Sequence, residues 1–231
     1  MTQQNTVVPA IDAVREKLSA EGFVVTNDGQ LGIPRTFREE FHRGYFTEEH
    51  LRRYPDDVPE DRLRARDVLR YDREEDGRIS IRSHHDIGIE GRGEHAGRRE
   101  FVRTDLARDE HFVRWVRAVL SVIPVRERQT RGTFGVNLFR TSSKVVTRPH
   151  RDGEQFIVVY VVDKACGGGV TTLLDDSGAI IHKDALEPGD LIIFRDSDFL
   201  HSATELEAAD GRPRRDALVC TVNYPGTYPL D

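Results

Sequence analysis

The sequence is poor in cysteine, methionine and tryptophan, with two, one and one of them in 231 residues. Cys166 and Cys220 stand alone, so their spacing excludes a disulfide framework and a cysteine zinc site. We interpret both as small buried residues. A chain of this length can bury a sizeable core, so we expect it to fold without disulfides in a reducing compartment.

Long apolar runs and an excess of basic charge are also missing. No apolar segment is long enough to span a bilayer. The first residues lack the basic segment and apolar stretch of a secretory signal. The net charge of −6 gives no general attraction to nucleic acid or anionic membranes. We therefore expect a cytoplasmic protein whose partner is a small molecule, with no nucleic acid and no membrane.

Lysine is scarce as well. Among the 34 basic residues, the lysines are Lys17, Lys144, Lys164 and Lys183. We interpret this bias towards arginine as a property of a GC-rich genome. Local arginine clusters are therefore not taken as evidence of binding sites.

The character of the chain changes near residue 131, within what we interpret as one domain over residues 1–231. Residues 1–130 carry mainly helical patterns, such as the apolar face of residues 109–122 that ends before Pro124. Residues 131–225 read as short strands separated by Gly, Asp and Pro. We expect strands at 133–140, 144–149, 156–163, 170–174, 178–183, 191–195, 199–205 and 217–224. The pattern predicts a mainly β protein with helices (α+β), a jelly-roll or cupin-like barrel with the helical half packed on one sheet.

A metal-binding pattern follows one of these strands. In a strand, residues i and i+2 face the same way, so His150 and Asp152 are expected to point to one face. His201 begins a later strand and can supply a third ligand. Two histidines and one carboxylate form the facial triad typical of non-haem Fe(II) oxygenases.

The run from Arg214 to Tyr224 places Arg215 and Thr221 on one strand face with small residues. A guanidinium binds a carboxylate through two parallel hydrogen bonds. We therefore choose Arg215 to bind the distal carboxylate of a dicarboxylate cosubstrate, and Thr221 can add a hydroxyl. Asn137 and Arg140 have opposite parity on the first barrel strand, so at most one of them points inward.

The motif order is His-x-Asp-Gly, Gly-Gly, Pro-Gly-Asp, His and Arg-Asp-x-Leu-Val. It resembles the 2-oxoglutarate/Fe(II) dioxygenases. More narrowly, it is similar to the bacterial free-amino-acid hydroxylases that act on isoleucine and related substrates. The resemblance covers roughly residues 130–225. It implies a double-stranded β-helix that uses Fe(II), 2-oxoglutarate and O2, in which Asn137 can line the pocket.

The resemblance also implies a reaction. A C–H bond of a free amino acid or small derivative would be hydroxylated, with succinate and CO2 as coproducts. Asp152 favours hydroxylation, because related halogenases have a small residue at this position that leaves room for chloride.

Substrate-binding residues are harder to choose. Arg82 and His84 lie in a basic, glycine-broken stretch that could cover the site, although solvated surface charge is the better explanation of this stretch. Glu154 and Gln155 follow the metal motif and could meet a substrate ammonium group. The alternative function is a cupin-type metalloprotein, an isomerase or ligand-binding barrel, that does not use 2-oxoglutarate. Arg215 favours the oxygenase, as does His-x-Asp where ordinary cupins have His-x-His.

Overall fold

The computed structural model describes residues 10–54, 62–91, 97–142, 147–208 and 211–223. Its three α-helices are α1 (Ala10–Glu21), α2 (Arg35–Tyr45) and α3 (Glu110–Val122). Its strands are β1 (Phe23–Asn27), β2 (Arg52–Arg53), β3 (Leu63–Arg73), β4 (Ile79–Ser83), β5 (Ile89–Gly91), β6 (Gly97–Arg99), β7 (Arg131–Thr141), β8 (Thr147–His150), β9 (Phe156–Lys164), β10 (Gly167–Gly168), β11 (Thr171–Leu174), β12 (Ile180–Asp184), β13 (Asp190–Arg195), β14 (Leu200–Ala203), β15 (Leu206–Glu207) and β16 (Arg215–Val222).

Two antiparallel sheets form the barrel. The major sheet has eight strands in the order β1-β13-β9-β16-β7-β3-β2, with β4 paired to β3. The minor sheet has the order β12-β11-β14-β8, and two further pairs, β10 with β15 and β5 with β6, lie outside these sheets. The strands predicted after residue 131 are present, with ends shifted by a few residues. Residues 143–146, part of one predicted strand, and Tyr224 lie outside the described residues.

The helices cover the outer face of the major sheet. Trp115 on α3 is fully buried, and its ring lies 5.3 Å from that of Tyr160 on β9. Leu18 of α1 and Phe41 of α2 belong to the same apolar cluster, which also contains Leu218 of β16. Because strand residues alternate between faces, this outer cluster leaves the opposite face of β16 for the barrel interior. The predicted packing of helices on one sheet is confirmed.

Local signals explain where α3 lies. Asp109 precedes its first turn, and one carboxylate oxygen accepts hydrogen bonds from the backbone N–H groups of His111 and Phe112. The helix ends at Val122, just before Pro124. Seven residues of the helix are buried. No helix in the described ranges has the length and apolarity needed to cross a bilayer.

The prediction of a mainly helical segment before residue 131 is wrong in one important respect. Strand β3 spans eleven residues, Leu63–Arg73, and lies inside the major sheet between β2 and β7. Its alternating arginines resemble a solvated segment in sequence, yet Arg64 and Arg66 are buried. The strand forms because Ala65 and Leu69 pack on the helix side of the sheet, while the arginines face the interior.

A buried carboxylate stands at the junction of β1 and the helices. Asp28 accepts hydrogen bonds from the Tyr160 hydroxyl, with its two oxygens at 2.9 and 3.1 Å. Burial raises the pKa of Asp28 from 3.8 to about 6, although Tyr160 and Arg38 act in the opposite direction. A raised pKa means that the folded state favours the protonated acid. The contribution of Asp28 to stability is therefore full below pH 4 and is lost as the pH rises through about 6.

We expect Asp28→Asn to change the pH dependence of stability. The neutral amide removes the cost of ionising a buried acid, so the stability of the variant relative to the wild type should increase between pH 4 and pH 7.5. The increase is at most about 3 kcal/mol for a shift of this size. Urea unfolding of the metal-free protein at both pH values measures it. Asp76→Asn, at an exposed position, is the control and should show no such change. An equal stability difference at the two pH values for Asp28→Asn contradicts the prediction.

Candidate functional site

A cavity of about 390 Å³ lies between the two sheets. This volume is within the range of small-molecule sites. His150 and His201 line it from the minor sheet, and Arg215, Ala217 and Val219 line it from the major sheet. The predicted interior face of β16 is confirmed for these positions.

Strand pairing brings the two histidines together. His150 ends β8, His201 lies in β14, and the two are register partners in the minor sheet. Their ring centroids are 4.1 Å apart. Asp152 follows β8, and its oxygens lie 3.5 Å from Nε2 of His150 and 3.7 Å from Nε2 of His201. One ligand atom from each residue lies within 4.8 Å of the other two, so the three side chains could hold one metal ion.

Hydrogen bonds and burial act on the protonation of all three side chains. The Nδ1 atom of His150 lies 2.8 Å from the carbonyl oxygen of Arg148, which can only accept, so Nδ1 carries a proton and Nε2 is the atom directed to a metal. The hydrogen bond with Asp152 raises the pKa of His150. Burial lowers the pKa of His201, which favours a neutral imidazole. Burial alone would raise the pKa of Asp152, but the hydrogen bond with His150 and the charges of both histidines lower it below its ordinary value. Two imidazoles and a carboxylate form the donor set of a non-haem Fe(II) site.

Asp196 holds the turn that carries Asp152. Its carboxylate is almost fully buried and accepts hydrogen bonds from the backbone N–H groups of Asp152, Gly153 and Glu154, at 3.2, 2.6 and 3.0 Å. Gly153 has a φ of 84°, which a side chain would strain. Oδ1 of Asp196 also lies 3.8 Å from Nδ1 of His201, a nitrogen without a hydrogen-bond partner in the described part of the chain. One carboxylate therefore holds the turn that carries Asp152 and also lies beside His201.

Arg215 offers an anion site on the opposite wall. Its Nε and Nη2 atoms are buried and have no hydrogen-bond partner among the residues that the structure describes. Burial lowers the pKa of Arg215 to about 10, and the charge of Arg62 adds to this effect. A buried, unpartnered guanidinium is costly unless an anion binds it. The arrangement fits the distal carboxylate of 2-oxoglutarate.

The other predicted cofactor residues also line the cavity. Asn137 accepts a hydrogen bond from Nη1 of Arg66 at 2.8 Å, whereas Arg140 points to the other face and binds Asp216. Thr221 is six residues from Arg215 along β16, roughly 20 Å in an extended strand. Thr221 and Arg215 therefore cannot hold the same carboxylate. The prediction that the Thr221 hydroxyl adds to Arg215 at this group is wrong.

Glu154 is the one predicted substrate residue that lines the cavity. It is 7% exposed, and its Oε2 has no hydrogen-bond partner among the described residues. Burial raises the pKa of Glu154 to about 9, with further contributions from the charges of Asp152 and Asp196. Its position next to the candidate metal ligands makes it a candidate for contact with a bound molecule.

The structure places the other three predicted substrate residues outside the lining of this cavity. Arg82 is exposed and donates to Asp72 across the β3–β4 pair. His84 is fully buried, and its Nδ1 lies 2.8 Å from the carbonyl oxygen of Asp86. Gln155 points away, and its side chain bonds to the carbonyl oxygen of Glu127 and the amide of Asn223.

Sequence reasoning missed four cavity arginines and one carboxylate. Arg62, Arg64, Arg66 and Arg99 line the cavity. The alternation Arg62-x-Arg64-x-Arg66 was the available signal, but it was attributed to composition. Asp196, in the turn before His201, had no signal of its own.

A second histidine–carboxylate cluster has a different role. His42, Asp163 and Asp216 also lie within 4.8 Å of one another. Arg140 donates to both oxygens of Asp216, and Arg214 binds both carboxylates. These cations already neutralise the acids, so the cluster is an ion-pair network that ties α2 to β16.

A family comparison agrees with this site. The model of the 2OG-Fe dioxygenase family matches residues 54–221, which include both histidines, Asp152 and Arg215. The chain belongs to the 2OG-Fe dioxygenase family. It is therefore an enzyme, a non-haem iron oxygenase that uses Fe(II), 2-oxoglutarate and O2. The family assignment decides against a cupin-type metalloprotein that works without 2-oxoglutarate.

Solved structures support the fold of this dioxygenase. It is similar to a bsmA homologue from Methylobium petroleophilum PM1, with a TM-score of 0.77, 19% identity and coverage of 96% of both chains. It is also similar to IDO from Bacillus thuringiensis, with a TM-score of 0.68, 14% identity and coverage of 93% of this chain and 96% of that one. The Fe(II)/(alpha)ketoglutarate-dependent dioxygenase TqaL is similar as well, with a TM-score of 0.66, 15% identity and coverage of 95% of this chain and 91% of that one. No curated protein sequence matches the chain. The predicted double-stranded β-helix is confirmed.

The contacts of Asp196 predict a role in metal affinity for this dioxygenase. We expect Asp196→Asn to weaken Fe(II) binding by roughly 10- to 100-fold, because partners of metal ligands typically contribute this much. Competition with a colorimetric chelator under anaerobic conditions measures the affinity. Asp198→Asn, two residues along in the same turn and exposed, should bind iron as the wild type does. Wild-type affinity in a folded Asp196→Asn variant would show that the turn holds itself without this carboxylate.

Proposed function

We propose that His150, Asp152 and His201 hold Fe(II), that Arg215 binds the distal carboxylate of 2-oxoglutarate, and that the enzyme hydroxylates a free amino acid or a small amino-acid derivative. One observation carries the proposal. The three candidate ligands and a buried, unpartnered guanidinium line the same 390 Å³ cavity from opposite sheets. A dicarboxylate that reaches from one wall to the other satisfies both.

Each residue has a defined task in this reaction. Fe(II), 2-oxoglutarate and O2 would together supply the oxidation of an unactivated C–H bond: one oxygen atom would enter the substrate as a hydroxyl group and the other would enter succinate, with loss of CO2. Asp152 fills a coordination position with a carboxylate, which favours hydroxylation. Arg215 orients the cosubstrate through two parallel hydrogen bonds. Asp196 keeps the turn that carries Asp152 in place before any ligand arrives.

The size and lining of the cavity support a small substrate. A volume of about 390 Å³ must hold 2-oxoglutarate and the substrate together. Glu154 places a carboxyl group next to the metal ligands, with Oε2 directed to no other described residue. We assign it to the amine of the substrate, because the positive charge of an ammonium group would oppose the effect of burial and favour the ionised form of Glu154. This choice agrees with the resemblance to free-amino-acid hydroxylases.

The decisive experiment measures succinate formed from 2-oxoglutarate by the purified enzyme with Fe(II), ascorbate and air, with and without a panel of free L-amino acids. We expect at least one amino acid to stimulate turnover. His150→Ala should abolish iron binding and turnover. Arg215→Ala should raise the KM for 2-oxoglutarate by roughly 10- to 100-fold, since a charge-assisted bidentate pair is lost.

Matched controls exist on the same chain. His111→Ala and Arg212→Ala replace exposed residues of the same types and should leave turnover unchanged. An unaltered KM for 2-oxoglutarate in Arg215→Ala would indicate that another cavity arginine binds the cosubstrate. Iron binding by His150→Ala with wild-type affinity would contradict the assigned triad.

The role of Glu154 has its own test. Glu154→Gln keeps the size of the side chain but cannot carry a negative charge. We expect the KM for the stimulating amino acid to rise about tenfold, while the KM for 2-oxoglutarate and the affinity for iron stay the same. Equal losses in all three quantities would indicate a structural role instead.

A further inference from the structure

A buried network of three polar side chains adjoins the turn that carries Asp152. The hydroxyl of Tyr71 on β3 donates a hydrogen bond to Oδ1 of Asn223, at 2.6 Å. Nδ2 of Asn223 donates in turn to Oε1 of Gln155, also at 2.6 Å. Nε2 of Gln155 donates to the carbonyl oxygen of Glu127 at 2.8 Å. These three side chains, which form the Tyr71–Asn223–Gln155 network, join β3, the end of β16 and the turn after β8.

The hydrogen bonds of this network have one consistent direction. The carbonyl oxygen of Glu127 can only accept, so the amide nitrogen of Gln155 must face it. The amide oxygen of Gln155 then needs a donor, which orients the amide of Asn223 in the same way. Burial raises the pKa of Tyr71, which keeps its hydroxyl in the protonated form that donates. Each polar group of the network therefore has the partner that it requires.

The backbone around Asn223 is shaped to fit the network. Asn223 follows the last residue of β16 and has a φ of 55°, in the left-handed region that residues other than glycine rarely adopt. Gly132 on β7 is the register partner of Tyr71. A Cβ atom at Gly132 would overlap the Asn223 side chain and would lie 2.6 Å from the Tyr71 hydroxyl. A costly backbone conformation and a glycine inside a strand are thus present where these side chains meet.

Gln155 connects the network to the residues that hold the turn. Its backbone N–H donates to the carbonyl oxygen of Val222 at 3.1 Å, and its carbonyl oxygen accepts from the N–H of Asp196 at 3.4 Å. The carboxylate of Asp196 in turn accepts from the N–H groups of Asp152 and Glu154. A displacement of Gln155 would therefore move both the turn and the residue that binds it.

A satisfied buried polar network does more for geometry than for stability. Apolar side chains of the same shape can replace a hydrogen-bonded pair with little loss of stability, because the hydrogen bonds to water are lost in either case. A fully bonded network differs in that it allows one arrangement of its members and makes them rigid. The geometry that this network fixes is that of the segment next to the candidate metal ligand.

We propose that the Tyr71–Asn223–Gln155 network is a positioning device, which orders the turn with Asp152 and Glu154 before metal and substrate bind. None of the three side chains lines the cavity, so they act through the backbone of Gln155 and through Asp196. The inference rests on the proposed function, since it takes Asp152 as a metal ligand.

Metal affinity distinguishes positioning from a purely structural role. The Fe(II) affinities of Tyr71→Phe and Asn223→Gly are measured by anaerobic competition with a colorimetric chelator. Both variants should bind Fe(II) roughly 2- to 10-fold more weakly, because the metal must then order a turn that has lost a supporting hydrogen bond. Glycine adopts a positive φ without strain, so Asn223→Gly tests the side chain and keeps the backbone.

Tyr160→Phe is the matched control. Tyr160 is also a fully buried tyrosine of the major sheet, and its hydroxyl donates to Asp28 on the helix side. This variant loses a buried hydrogen bond as Tyr71→Phe does, and urea unfolding measures the loss of stability in each. Tyr160→Phe should nevertheless bind Fe(II) as the wild type does. Wild-type affinity in both network variants, or an equal loss of affinity in Tyr160→Phe, overturns the proposal.

Hydrogen–deuterium exchange of the metal-free protein measures the order of the turn directly. In peptides that cover residues 151–156, exchange should be roughly 2- to 10-fold faster in Tyr71→Phe and Asn223→Gly, and unchanged in Tyr160→Phe. The double variant Tyr71→Phe/Asn223→Gly should exchange no faster than Asn223→Gly alone, because Tyr71 acts through Asn223. Unchanged exchange in this segment, or additive effects of the two substitutions, contradicts the network.

The proposed function and the network proposal fail in different ways. If His150→Ala binds Fe(II) with wild-type affinity, the metal ligands are wrongly assigned, and the exchange experiment still decides whether the network orders the turn. If His150→Ala loses Fe(II) while both network variants keep wild-type affinity and exchange, only the network proposal is wrong.

Discussion

The two faces of the major sheet carry opposite chemistry, and the site depends on this separation. On β16, Leu218, Cys220 and Val222 pack into the cluster under the helices, while Arg215, Ala217 and Val219 face the cavity. The same alternation on β3 buries Ala65 on one side and presents Arg64 on the other. Because the apolar face is covered by fully buried side chains such as Trp115, the register of these strands cannot slip by one residue without burying arginine in the core. The core therefore fixes which charges the cavity contains.

The minor sheet contributes to the site by positioning the candidate metal ligands, whereas the major sheet contributes charged residues. Its pairing of β8 with β14 sets His150 opposite His201, and the turn after β8 delivers Asp152 to the same point. Residues 151–153 of that turn are exposed, and its backbone N–H groups donate hydrogen bonds to Asp196, which therefore sets its geometry. A physical reason exists for placing metal ligands and arginines on different sheets. Metal ligands need fixed angles, which paired strands supply, whereas recognition of carboxylates needs charge, which the arginines of the wider sheet supply.

Much of this was accessible from the sequence because period-two alternation is a local property. The strands after residue 131, the pairing of His150 with Asp152 on one face and the choice of Arg215 all follow from it. Strand β3 was not predicted, because the charged residues Arg64, Arg66 and Asp67 are typical of an exposed segment. Only the partner strand and the cavity show that they are buried. Arg82 was chosen wrongly because a local pattern shows that a side chain is cationic, but it does not show that the side chain is bound by Asp72. The role of Asp196 could not be predicted from the sequence, because its hydrogen-bond partners are backbone N–H groups of a turn that is distant in sequence. Long-range pairing, not local propensity, decided each of these cases.

The cavity arginines of β3 and β6 lie on a different part of the fold from the candidate iron ligands. Arg64 and Arg66 belong to β3 and Arg99 belongs to β6, and neither strand contains a residue of the triad or Arg215. A change at Arg64 alters the charge of the cavity but leaves the hydrogen bonds of Asp196 and the pairing of His150 with His201 intact. The residues that face the cavity from β3 can therefore change without disturbing the pairing and the hydrogen bonds that position the candidate iron ligands.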